Sequence, residues 1–277
     1  RGLVKVQEPI TQVRIYNTNT DKVIIEEVFC ENGAVRYEGD FSIAGVPNTA
    51  SPIKLRFVDP AGTLGKESGG ERRLLPTGNA VDVLEIPDFG KVAVSMVDAA
   101  NPLVFVKASD LGLRGDELPE ELYRRADKLE LLEKVRGVAA VKLEVCTDYT
   151  HSAWDTPGIP KITFVAPAKD CQTSTGKQIK ASDCDLLARM MSMQTPHPTY
   201  AMTGAMCTAA AAVVPGSIVN QMLKGTINFQ KLRIAHPGGV LEAGVNYTIE
   251  KDGELKISDT FGFRTANLLM DGVAYCS

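Results

Sequence analysis

Six residues, Thr203-Gly204-Ala205-Met206-Cys207-Thr208, stand directly before the run Ala209 to Ala212. Their types suit a helix N-terminus that holds an anion. Such a terminus leaves about four backbone N–H groups unpaired, and its dipole favours negative charge. Glycine and alanine let a ligand approach the backbone, and the two threonines can donate hydroxyls. A thiol in this setting has a lowered pKa and becomes a better base or nucleophile. The residues have a second reading, in which Cys207 is a small core side chain beside alanines packed on a sheet. Residue types alone leave both readings open.

Three further spots carry candidate chemistry. His236-Pro237-Gly238-Gly239 joins two apolar runs, and its glycine N–H groups can form an anion nest or a plain turn. Asn101 precedes Pro102, which disfavours the α region and lets the amide project as a ligand contact or a turn cap. His197 precedes Pro198 just after Ser192-Met193, where it is either a site group or a hydrogen-bonded surface imidazole. The three histidines are far apart and the six cysteines form no Cys-x-x-Cys pair, so no zinc motif is present. The scattered cysteines read as reduced thiols of a cytoplasmic protein. No metal and no cofactor are expected.

The elements that must position these residues come from patterning. Strands are expected at 12–16 and 22–28, as a hairpin around Asn17-Thr18-Asn19-Thr20-Asp21, and at 35–41 and 53–58. An exposed loop follows at 63–73. Further strands are expected at 91–97, 103–107, 162–165, 185–192, 232–235, 240–245 and 254–257. Residues 169–183 suit a loop or hairpin. A helix is predicted over 118–137 with Pro119 in its first turn, its apolar period continuing to about Val145. A second helix is predicted from Cys207 to Val214, stopped by Pro215-Gly216. The 263–270 stretch is of mixed character, and a last short strand is expected near 273–275.

Size and charge bound the rest. A length of 277 residues corresponds to about two domains, and 44% apolar with 23% charged residues is ordinary globular composition. The net charge of −4 argues against a nucleic-acid partner. The longest apolar runs fall short of the ~18 residues that a membrane helix needs.

The order "LLPTGN", "VDAANPLVFV", "RMMSMQTPHPTYAMTGAMCTAAAAVVPG", "IAHPGGVLEAGV", "FRTANLLMDGVAY" resembles the PrpF family over essentially the whole chain. That family isomerises unsaturated tricarboxylates such as 2-methylaconitate and aconitate, and it includes oxalomesaconate tautomerases. The resemblance implies an α+β fold similar to diaminopimelate epimerase, with two pseudo-symmetric domains of curved sheet around a central helix. Residues 1–79 with 258–277 would be what remains of the first domain. Residues 80–257 would be the second, with its central helix near 207–214. The substrate would be a small di- or tricarboxylate held by Asn101, Ser192, Met193, His197, Thr203, Gly204, Ala205, Met206, Thr208, His236, Gly238 and Gly239. Cys207 would be a second acid/base or a site wall. Family members carry about a hundred residues before the segment matching Gly2-Leu3-Val4, and their lysine and cysteine acid/base pair lies there, with no counterpart in this sequence. A non-catalytic remnant of the same fold is therefore the competing reading. A homodimer is compatible with the resemblance.

Overall fold

The computed structural model describes residues 4–64, 73–251, 253–267, 269, 270, 272, 273 and 275. In chain order its elements begin with β1 (Ile10–Asn17), β2 (Lys22–Glu31), β3 (Ala34–Val35), β4 (Ile53–Val58), β5 (Asp82–Ile86), β6 (Gly90–Ala99) and β7 (Asn101–Lys107). Three helices follow, α1 (Pro119–Tyr123), α2 (Ala126–Lys142) and α3 (Ser152–Asp155). Then come β8 (Lys161–Pro167), β9 (Cys171–Gln172), β10 (Gln178–Ile179), β11 (Leu186–Ser192) and β12 (Thr195–Pro196). The chain continues through α4 (Met202–Ala212), α5 (Ile218–Met222), β13 (Leu232–His236), β14 (Gly239–Ile249) and β15 (Leu255–Arg264). The fold is mixed α+β, as the patterning and the resemblance imply.

Thirteen strands join one sheet in the order β1-β2-β4-β15-β14-β13-β11-β8-β7-β6-β5, with β3 and β12 attached to β2 and β11. Most neighbours are antiparallel; β7 with β8 and β11 with β13 run parallel. Sequence-distant strands meet at β4–β15, so the sheet is continuous from the first hairpin to β5.

Two apolar layers cover the second half of this sheet. On one face α2 buries Leu131, Leu132, Val135 and Ala139 against Leu84, Val94, Val104 and Phe164. On the other face α4 and α5 pack on Val97, Leu103, Phe105, Ala188, Met190 and Ile234. Every residue of α4 from Gly204 to Ala212 is buried. A helix that is apolar all round must be enclosed, and α4 is: it touches β6, β7, β14 and β15. The alanines let strands close around it without leaving voids. Among the described residues no helix is long and apolar enough to cross a membrane.

Several boundaries differ from expectation. The helix predicted over 118–137 is two helices, broken where Arg125 leaves the helical region at φ −114° and ψ 68°. The strand expected at 35–41 ends at Val35, because the chain then crosses over Ala50 and Ser51, whose backbone lies within 2.8 Å of where a Gly39 side chain would begin. The stretch from 254 into the mixed 263–270 region contains one long strand, β15, hydrogen-bonded on both edges to β14 and β4. Its polar Asp259 and Thr260 are buried, Asp259 accepting from Arg56 and Asn246, which blurs the alternation a reader of the sequence relies on. No strand forms at Val273 or Tyr275, and residue 274 lies outside the described residues. Most of the loop expected at 63–73, residues 65–72, also lies outside them.

Candidate functional site

The central helix starts five residues earlier than Cys207. Ala201 is its N-cap, in an extended conformation and without a side-chain cap, so the first turn is Met202-Thr203-Gly204. The Ala205 N–H already donates to Ala201. The unpaired N–H groups of α4 are therefore at Met202 to Gly204, and Ala205 to Thr208 lie inside the helix.

That shift changes what four of the candidates do. Gly204 is buried, and a methyl added to it would overlap Met190 Cε and approach Tyr200. Its missing side chain brings helix and sheet together rather than admitting a ligand. Thr208 donates to the Gly204 carbonyl at 2.8 Å and pairs with the Tyr200 hydroxyl at 2.9 Å, which reaches Thr163 at 3.3 Å. This is a satisfied buried network. Met206 is fully buried. Cys207 is fully buried too, its thiol directed at the Val97 carbonyl at 3.3 Å, and burial pushes its pKa well above the usual thiol value. A thiol so placed is a core group in the sense of the second sequence reading.

A cavity of about 350 Å³ opens at the start of α4, lined by Ile43 to Val46, Thr199, Tyr200, Met202, His236, Leu241, Phe263, Arg264 and Thr265. Its polar groups come from different elements. His236 ends β13 on the same face as Leu232 and Ile234, both part of the α4 core. Arg264 ends β15, is solvent-exposed, and forms no ion pair with a described carboxylate. Thr199 precedes α4, and Thr265 follows β15.

The Pro237-Gly238 turn is tight. Gly238 N–H donates to His236 Nδ1 at 3.1 Å, and the Pro237 carbonyl accepts from Ser174 at 2.8 Å. A side chain on Gly238 would press on Thr199 Cγ2, and one on Gly239, at φ +144°, on Ala44. The glycines thus seat the 43–46 loop and Thr199 over His236. The nest reading of these N–H groups gives way, since the Gly238 N–H is spent on the imidazole. His197 repeats the arrangement: Thr199 N–H donates to its Nδ1 at 3.1 Å.

Burial and the neighbouring Arg189 guanidinium push the His236 pKa down to about 3, and burial also lowers that of His197. Arg189 is itself buried and donates to the carbonyls of Glu117, Ala188 and Ala235, with the Cys171 thiol beside it.

The remaining candidates lie elsewhere. Asn101 opens β7 after Ala100, which turns the chain at φ +61°, and does not line the cavity. Ser192 and Met193 lead into the β11–β12 turn, where Met193 and Gln194 take positive φ and Met193 is 63% exposed. A larger cavity of about 900 Å³ sits at the other end of α4, between Leu74, Leu75, Val214 and Ile257. Its lining carries both signs of charge, Asp59 and Glu254 beside Arg73 and Lys256, and it faces the C-terminal end of the helix, where the dipole favours cations.

A family model described as PrpF protein matches residues 1–277. The chain belongs to the PrpF family. It is 41% identical over 275 residues to 3-methylitaconate isomerase of Eubacterium barkeri, covering 99% of this chain and 69% of that protein. It is 35% identical over 263 residues to 2-methyl-aconitate isomerase of Shewanella oneidensis, covering 95% of this chain and 65% of that protein. The crystal structure of a methylitaconate-delta-isomerase superposes with a TM-score of 0.84 at 41% identity, over 97% of this chain and 67% of that one. The PrpF chain thus spans about two thirds of the length of these relatives. Kinship at this level makes it an isomerase, and its fold is that of the methylitaconate-delta-isomerase structure.

Arg264 and Thr265 had no role in the sequence reading, although they sit in the "FRTANLLMDGVAY" segment that carries the resemblance. The signal was an arginine closing an apolar strand, which only the β15 register could aim at α4.

Proposed function

We propose that this PrpF chain isomerises a small unsaturated di- or tricarboxylate of the methylaconitate or methylitaconate class, by a proton shift and without a cofactor. In such a reaction one allylic C–H bond breaks, the double bond moves along the carbon frame, and a C–H bond forms at its other end. No electrons are gained or lost. The intermediate is a dienolate, whose charge must be met by fixed donors.

The observation that carries this reading is the cavity at the first turn of α4, lined by the exposed Arg264 and by Thr199 and Thr265. A helix start, an arginine and hydroxyls are the groups that hold carboxylates. At about 350 Å³ the cavity is at the small end of ligand pockets, as a compact acid requires. Cys207 serves this site as the packing behind it. The lysine and cysteine pair that the resemblance implies for proton transfer is not among these residues.

The test is turnover. 2-Methylaconitate, 3-methylitaconate and oxalomesaconate are incubated with the full-length protein, and ultraviolet absorbance of the conjugated acid is followed. Turnover of one of the three is expected. Arg264→Ala is expected to raise KM by roughly 10–100-fold, since a charge-assisted hydrogen bond contributes about 1.5–3 kcal/mol. No turnover of any of the three, or an unchanged KM in the variant, overturns the reading.

A further inference from the structure

Two of the three histidines stand in His-Pro-x turns, and both turns behave alike. The N–H two residues on returns to Nδ1 of the histidine, from Thr199 to His197 and from Gly238 to His236, each at 3.1 Å. A nitrogen that accepts a backbone N–H carries no proton of its own, so the proton of a neutral ring must be on Nε2. For His236 the lock is the stronger. The residue is 2% exposed, the turn beneath it is tied to Ser174, and Thr199 covers Gly238 beside it. Its Nε2 has no hydrogen-bond partner among the described residues, and the ring lines the cavity.

We propose that His236 is the cavity's neutral hydrogen-bond donor, presenting Nε2–H to a carboxylate oxygen of the substrate and to the same oxygen as it gains charge in the dienolate. This rests on the isomerase reading above and adds a residue and a role to it. The groups around the ring fit the role. Arg189 on β11 sits behind it with its guanidinium bonded to the Glu117, Ala188 and Ala235 carbonyls, and His197 faces it from the β12–α4 connection. Both disfavour a second proton on the ring, so it does not become an imidazolium or act as a general acid of ordinary strength. A neutral imidazole donor loses no reorganisation energy when charge develops, and it leaves the substrate's proton to other groups.

The experiment has two arms. In the first, nitrogen-15 spectra of the imidazoles are recorded on the ligand-free protein at pH 6 and 8. His236 is expected to show one bare and one protonated nitrogen at both pH values, with Nε2 as the protonated one. A proton on Nδ1, or a doubly protonated ring at pH 6, overturns the proposal whatever the substrate is. In the second arm the probe is propane-1,2,3-tricarboxylate, which is saturated and cannot isomerise. The Nε2 signal is expected to move on binding while Nδ1 stays. His236→Phe is expected to bind the probe about 10–100-fold more weakly, and His236→Gln, which keeps an N–H donor, to recover most of that loss. If His236→Phe binds like the wild type while Arg264→Ala does not, His236 is not the donor and the isomerase reading stands. If the wild-type protein binds no polycarboxylate, that reading falls and the proposal with it.

Discussion

Acid should weaken this fold through His236 by an amount that can be worked out. In an unfolded chain the imidazole titrates at 6.5; in the fold, burial and Arg189 push it down to about 3. Between those values the unfolded state binds a proton that the folded state refuses. The contribution to stability is therefore complete above the unfolded value and is lost as pH falls through the window. At pH 5 the folded ring is still bare, so the loss is set by the unfolded state alone. Protonation there favours unfolding by a factor of about 33, or about 2 kcal/mol. His236→Gln removes the titration and keeps a polar amide of similar reach. Urea unfolding of both proteins at pH 8 and pH 5 gives four free energies, and every other titrating group cancels in their double difference. The wild type should lose about 2 kcal/mol more than the variant. A double difference under about 0.5 kcal/mol would mean that the imidazole is solvated or already charged in the fold, and the burial argument would be refuted.

Two more expectations follow from α4. Gly204→Ala drives a methyl into Met190 Cε, so Met190 must move, and the helix-propensity gain of about 1 kcal/mol that alanine brings elsewhere should be absent here, read as no rise in Tm, whereas in a Met190→Ala background the same substitution should raise Tm. The Cys207 thiol should react with an aromatic disulfide reagent only at the rate of unfolding, because it is sealed under Val97, and should label quickly in denaturant; fast labelling of Cys207 in the folded protein would restore its candidacy as an acid/base.

Much of the fold was legible because its strands are short, apolar and bounded by turn residues. The hairpin around 17–21 and the strands at β4, β7, β8, β11 and β13 follow the periodicity closely. What periodicity cannot give is the start of a helix with no cap and no polar face. Ala201 and Met202 carry no N-cap signal, and Thr203 was read as part of the ligand loop, so the helix appeared to begin at Cys207. That slip of one and a half turns moved the candidate thiol from the core to the anion site. Gly204 misled for a related reason. A glycine that admits a ligand and a glycine that admits a neighbouring methionine look the same until the sheet is in place. Asn101 and Ser192-Met193 had the right residue types, but each belongs to a turn at a strand end that does not open on the cavity.

The two His-Pro-x turns were written in the sequence in a form that can be used elsewhere. Proline fixes its own φ near −65° and bends the chain, so that the next N–H comes back to the side chain two residues before. With histidine in that place the bond also fixes a tautomer. Here it solves a problem the fold creates for itself. The cavity lies against a core of alanine and aliphatic residues, where a bare charge is expensive. An imidazole locked neutral can sit at that depth, while the exposed Arg264 of the cavity lining stays where water still reaches it. Arg189 stands behind the ring with carbonyls as its hydrogen-bond acceptors and the Asp116 and Glu117 carboxylates farther off. The cavity is thus biased toward anions without any group that must ionise inside it, so its preference for carboxylates should hold across the pH range in which the substrate is charged and the fold is intact.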